Sequence, residues 1–133
     1  MDAHTEHGER LVSLARAAVG DQLRSLVRFD RDDWEVLYLR EDVDRSVGGR
    51  GALQEWFVEN ERLGFDSATA YARYADRDDV EPSFGEYAFT VRVFDDGLVG
   101  RVIVDDGGVL FTTDRMNLSN LEEAAVAIRS SLA

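Results

Sequence analysis

The sequence predicts an α+β fold: a single five-stranded antiparallel sheet with helices on both faces, in the order α-β-β-α-β-β-β-α. Three observations predict it. Apolar residues recur at helical spacing near both ends and once in the middle of the chain. Short alternating runs lie between those segments, and tight turns rich in Asp and Gly join the runs. Closely spaced strands of this kind pair antiparallel, and such a sheet cannot hide both faces by itself. The first and last helices are therefore expected together on one face, with the middle helix across the other.

From Glu6 to Val19, residues Leu11, Leu14, Ala15 and Ala18 share a helix face, with Thr5 as the expected N-cap and Gly20 as the terminator. Leu23 to Asp30 sets Leu23, Ser25, Val27 and Phe29 against Arg24, Leu26, Arg28 and Asp30, the period of a strand. Asp32-Asp33 is turn chemistry, and Trp34 to Leu39 returns as the second arm of a hairpin. The middle helix runs from Ala52 to Leu63 with Leu53, Trp56, Phe57 and Leu63 on one side, and Ser67 to Ala75 continues it. A loop from Asp76 to Gly85 holds the single proline, Pro82. Tyr87, Phe89, Val91 and Val93 then alternate with Ala88, Thr90, Arg92 and Phe94. Asp95-Asp96-Gly97 turns into Leu98 to Val104, and Asp105-Asp106-Gly107-Gly108 into Val109 to Thr113, which completes a three-stranded meander. Ser119-Asn120-Leu121-Glu122 reads as a capping box, with Leu121, Ala124, Ala125, Ile128 and Leu132 in one stripe behind it.

A chain of 133 residues is expected to form one domain over 1–133, with residues 1–5 frayed. That length buries roughly two-thirds of the unfolded surface. The absence of cysteine excludes disulfides, thiolate metal sites and Cys nucleophiles. The start, MDAHTEHGER, has neither a basic n-region nor an apolar h-region, and no apolar run approaches the roughly 20 residues that span a bilayer. A cytoplasmic protein without membrane contact is expected. All 15 basic residues are Arg, against 27 acids, for a net charge of −12. Self-repulsion of that size weakens a compact state in dilute salt and is screened in dense salt. Lys stems also offer apolar surface that strong salt makes adhesive. Codon usage in a GC-rich genome accounts for Arg over Lys but not for the net charge, so a salt-loaded cytoplasm is the expected setting.

The order of elements resembles the roadblock and longin-like branch of profilin-type folds. That resemblance implies a small module that dimerises and serves as a scaffold or regulator of nucleotide-dependent partners. A second resemblance rests on Leu26-Val27-Arg28-Phe29-Asp30, Asp33 to Arg40 (DWEVLYLR) and Thr90 to Asp95 (TVRVFD). These segments are similar to a family of small haloarchaeal proteins with a DDYEVLYLRDDV-type hairpin and a later TVRVFEDAVV-type strand. It implies a halophilic archaeal source and no particular mechanism. Trp34 stands where that pattern has Tyr, and Gly48-Gly49-Arg50-Gly51 replaces a more helical stretch.

The chemical candidates are few. The doublets Asp32-Asp33, Asp78-Asp79, Asp95-Asp96 and Asp105-Asp106 offer oxygen ligands for Ca²⁺ or Mg²⁺, but none has the spacing of a calcium loop. Three of them fall where turns are expected, so they read as solvated turns. His4 and His7 are spaced for a transition metal but lie at the expected frayed end. A Ser nucleophile lacks any other His as base, and no G-x-S-x-G elbow is present. Carboxylate acid–base catalysis needs two acids in separated environments, which linear sequence does not reveal. Gly48-Gly49-Arg50-Gly51 before the middle helix offers amides and a guanidinium to a phosphate, yet lacks Walker or Rossmann spacing and reads as a connector. Arg residues scattered among acids disfavour nucleic-acid binding.

The expected function is a non-catalytic interaction or regulatory module, a homodimeric scaffold or adaptor, with no cofactor, no metal and no catalytic residue. The strand around Leu37 and Leu39 is apolar on both faces, and Trp56 and Phe57 add two rings on the middle helix; these four form the candidate interface. The alternative is a small-molecule sensor with a pocket between sheet and middle helix, built from Arg50, Trp56, Tyr71 and Tyr74.

Overall fold

The computed structural model describes residues 3–44, 52–79 and 81–133. In chain order it contains α1 (Ala3–Val19), a 3₁₀ turn (Gly20–Gln22), β1 (Leu23–Phe29), β2 (Trp34–Leu39), a short α2 (Glu41–Asp44), α3 (Ala52–Glu61) and α4 (Gly64–Ala75). The meander β3 (Thr90–Val93), β4 (Gly97–Val104) and β5 (Gly107–Asp114) follows, and α5 (Leu118–Leu132) closes the chain. One five-stranded sheet has the order β2-β1-β5-β4-β3, antiparallel at every junction. The α+β architecture is the expected one, with α2 as an unforeseen single turn.

Each sheet face carries its own core. On one face α1 and α5 pack together over Leu26, Leu98, Val102, Val109 and Phe111. Leu11, Ala15, Leu121, Ala124, Ala125 and Ile128 are fully buried there, so both predicted terminal stripes hold. On the other face Val58 of α3 and Phe65 of α4 cover Val27, Phe29, Ile103 and Leu110. Where two rings need room, glycine supplies it: Phe111 lies over Gly100 across the β4–β5 pair and Phe29 over Gly108. A Cβ at Gly100 would sit 2.4 Å from the Phe111 ring.

Several local expectations change. Helix α1 begins at Ala3, so Thr5 lies within it rather than capping it. Strand β1 does not alternate strictly. Its register shifts between Leu23 and Ser25 against β5 and between Leu26 and Val27 against β2. Leu23 therefore joins Leu26 in the α1/α5 core, while Val27 and Phe29 face α3 and α4. The third strand begins at Thr90 rather than Tyr87. Asn117, not Ser119, caps α5: its side chain accepts the Ser119 amide at 2.7 Å.

The largest correction concerns α3. Among its described side chains the buried ones are Gln54, Val58 and Glu61, one face at i, i+4, i+7. Trp56 is 58% exposed, Leu63 beyond the helix end is 66% exposed, and Phe57 is half-buried. Of the expected apolar side, Trp56 and Leu63 thus face outward while Phe57 packs against the second core, and Glu61 turns inward to two guanidinium groups on the sheet.

Candidate docking site

Glu61 sits at the last turn of α3 with its side chain 1% exposed. Its Oε1 accepts from Arg101 NH1 of β4 at 3.0 Å and its Oε2 from Arg92 Nε of β3 at 2.8 Å. Arg101, itself buried, also donates through NH2 to Thr90 Oγ1 at 2.9 Å, and Thr90 is bonded to the Tyr87 hydroxyl. A buried carboxylate is tolerated only when paired and hydrogen-bonded, and here both oxygens are. The chain then turns into α4 at Gly64, directly over the Arg101 guanidinium. The pairing fixes the roll of α3 and so turns Trp56 outward.

Rolling α3 in this way opens a half-open cleft of about 410 Å³ between the helix and the β3–β4 end of the sheet. Trp56 and Phe57 form one wall, packed edge-to-face at 5.1 Å. Phe94 lies on the other side, Val99 contributes apolar floor and Gln54 a buried amide, and Arg24 also lines the cleft. Ser25 and Thr112, hydrogen-bonded to each other at 2.6 Å, also line it. Beside the cleft, β3 forms its ladder with β4 alone among the described residues, and Val93 and Phe94 are half exposed along that edge. An apolar cleft next to an open sheet edge is suited to taking up another polypeptide.

Ion pairs frame the same end of the sheet. Asp114 at the end of β5 accepts from Arg24 Nε at 2.7 Å and from Arg40 NH1 and NH2 at 2.8 and 3.0 Å. The Arg40 bonds, seconded by Arg24, hold the Asp114 carboxyl down at about 2. Arg40 is raised in turn, chiefly by Asp114 and then by Asp42. Arg24 NH2 also donates to the Asp96 carbonyl at 2.9 Å, and Arg115 NH1 to the Phe94 carbonyl at 2.9 Å. Two arginines thus clamp the backbone of the β3–β4 turn.

The predicted site residues are divided by the fold. Trp56 and Phe57 lie together in the cleft. Leu37 and Leu39 are half-buried on the edge strand β2, and Leu37 packs into the α1/α5 core. Tyr71 stacks on Tyr87 at 5.3 Å and Tyr74 meets Phe84, both away from Trp56, and Arg50 lies outside the described residues. Among the described candidates, Tyr71 and Tyr74 do not line the cleft that holds Trp56. Phe94, Gln54 and Glu61 carry no local signal of this role, because the arginines that receive Glu61 lie 31 and 40 residues further along the chain.

His7 and the Asp32-Asp33 turn have structural partners. His7 Nε2 lies 3.2 Å from the Ser131 carbonyl and 3.1 Å from its hydroxyl, and Arg28 NH1 lies 3.4 Å from Nδ1, so this histidine ties α1 to α5 and β1. Asp30 Oδ1 accepts the amides of Asp32 and Asp33 at 2.8 and 2.7 Å, and those two bonds hold its carboxyl below the usual range. Among the described residues no group of three His, Asp or Glu side chains is placed to hold a metal ion, and no helix is long and apolar enough to cross a membrane.

A family model described as a domain of unknown function, DUF7522, matches residues 9–133. No curated protein matches the chain. Solved structures match it over nearly its whole length. Myxococcus xanthus MglB has a TM-score of 0.54 at 9% identity, covering 99% of this chain and 92% of that one. An MglB with a tetrameric arrangement gives 0.52 at 14%, covering 98% and 91%. The gliding protein MglB from Thermus thermophilus gives 0.52 at 13%, covering 98% and 92%. At these identities the likeness shows the fold, which is that of the roadblock/longin-like group.

Proposed function

The chain belongs to the DUF7522 family, and we propose that it is a non-catalytic interaction module, a homodimeric scaffold or adaptor of a salt-loaded cytoplasm that docks through the Trp56 cleft. One observation carries the reading: a buried ion pair holds α3 so that Trp56 stands 58% exposed beside an apolar cleft and an open sheet edge. Leaving a Trp in water forgoes roughly 1.5–3 kcal/mol or more of burial, which docking recovers. Support also comes from the fold, since an MglB of this fold exists in a tetrameric arrangement. A net charge of −12 opposes self-association at low ionic strength, so assembly is expected to strengthen with salt.

The experiment is light-scattering mass after size exclusion in multimolar KCl, for the wild type and Trp56→Ser. A dimer that dissociates on Trp56→Ser, with unchanged circular dichroism, is the expected result. A wild type monomeric at every concentration overturns the homodimer. The cleft volume of about 410 Å³ favours one second reading, a small-molecule sensor. Its mark would be a ligand that perturbs Trp56 emission without changing mass.

A further inference from the structure

The cleft at Trp56 has a chemical bias beyond being apolar. Its aromatic residues are Trp56, Phe57 and Phe94, its rim is the β3–β4 turn, Asp95-Asp96, and its one lining cation among the described residues, Arg24, is paired with Asp114. Both arginines that reach this turn bind its backbone: Arg24 takes the Asp96 carbonyl and Arg115 the Phe94 carbonyl. Arg24 meanwhile gives its Nε to Asp114. Among the described residues, neither the Asp95 nor the Asp96 side chain has an ion-pair partner. The turn is thus held rigid while its two carboxylates stay available.

Exposed ring faces beside carboxylates match one side-chain chemistry. A guanidinium is planar and weakly hydrated, stacks on an indole face, and offers several donors to carboxylate oxygens. Its stem then rests on the apolar floor at Val99. We infer that the Trp56 cleft is a receptor for an arginine side chain of a partner protein, with Trp56 as the stacking face and Asp95 and Asp96 as the carboxylate rim. This inference rests on the docking function proposed for the cleft and names the chemistry that the partner brings. Stacking on Trp56 persists where dense salt screens the carboxylate contribution, so the two parts are separable by ionic strength.

The test uses Trp34→Phe protein, in which Trp56 is the single tryptophan, and two peptides. One is acetyl-Leu-Arg-Leu-amide; the other replaces arginine with citrulline, which is nearly isosteric and uncharged. The expected result is a saturable change in Trp56 emission with the arginine peptide, and binding about tenfold weaker for citrulline. Asp95→Asn/Asp96→Asn is expected to weaken the arginine peptide about threefold in dilute salt and less in multimolar KCl. Equal binding of the two peptides, or no saturable change with either, overturns the inference. Light-scattering mass separates this from the docking function. If Trp56→Ser breaks the assembly but the peptides bind equally, docking stands and the guanidinium falls. If arginine binds selectively while Trp56→Ser keeps the wild-type mass, the receptor stands and the homodimer falls.

Discussion

Glu61 and Arg101 meet at 3.0 Å between α3 and β4 with side chains 1% and 6% exposed, and their pairing decides which side of α3 faces the sheet. Arg92 completes the cluster from the edge strand, half in solvent. Everything proposed for Trp56 depends on this buried pair, since rolling α3 the other way would bury the ring and close the cleft.

Breaking the pair from one side leaves a buried charge without a partner. Glu61→Ala is expected to destabilise the fold by about 3–5 kcal/mol. Replacing both partners, as Glu61→Leu/Arg101→Met, should recover most of that loss. Urea unfolding of the three proteins in constant KCl measures both; a double variant no more stable than Glu61→Ala would show that the pair is not the unit.

Gly64 starts α4 on top of the same guanidinium. A Cβ there would lie 2.4 Å from Arg101 Cζ and 2.7 Å from Ile103 Cδ1. Gly64→Ala should therefore cost about 1–3 kcal/mol by overpacking. Thermal unfolding reads it, and the same substitution in an Arg101→Met background should cost clearly less.

Asp114 carries a pH signature. Its folded carboxyl is held at about 2 against an ordinary 3.8, so its contribution is present above pH 4 and is lost as the pH falls toward 2. Asp114→Asn should flatten the decline in stability over that window, leaving the slope at neutral pH unchanged. Unfolding midpoints measured from pH 5 to pH 2 test this, and parallel curves for the two proteins would refute it.

The two caps proposed for α5 give opposite results. Asn117→Ala should cost about 1 kcal/mol by orphaning the Ser119 amide, whereas Ser119→Ala should be near neutral. Chemical denaturation separates them; a larger loss at Ser119 would restore the capping box.

Leu37 and Trp56 divide packing from docking. Leu37→Ser should lower stability by about 2 kcal/mol because Leu37 packs against the α1/α5 core. Trp56→Ser should leave stability within about 0.5 kcal/mol while changing the oligomeric mass. Loss of assembly with Leu37→Ser at temperatures where the protein stays folded would move the interface to β2.

Legibility followed the range of the forces involved. Leu121, Ala124, Ala125 and Ile128 declare a buried helix face because nothing polar interrupts them. Asp95-Asp96-Gly97 and Asp105-Asp106-Gly107 declare their turns because Asp and Gly adopt the required backbone locally. The β1 faces were misassigned because register shifts against two neighbours reset the alternation. Tyr71 and Tyr74 do not share the helix of Trp56, since α3 ends at Glu61 and a second helix, α4, begins at Gly64 and leads elsewhere.

The sequence by itself determined the order of the strands and of the terminal helices, the hairpin, the meander and the buried stripes of those two helices. Each of those rests on periodicity or turn chemistry within a few residues. Only the tertiary structure decided the roll of α3 and, with it, the exposure of Trp56. The partners that set that roll lie 31 and 40 residues further along the chain, at Arg92 and Arg101. A carboxylate goes inside only when such partners are already fixed on the sheet to receive it, and no local pattern records that.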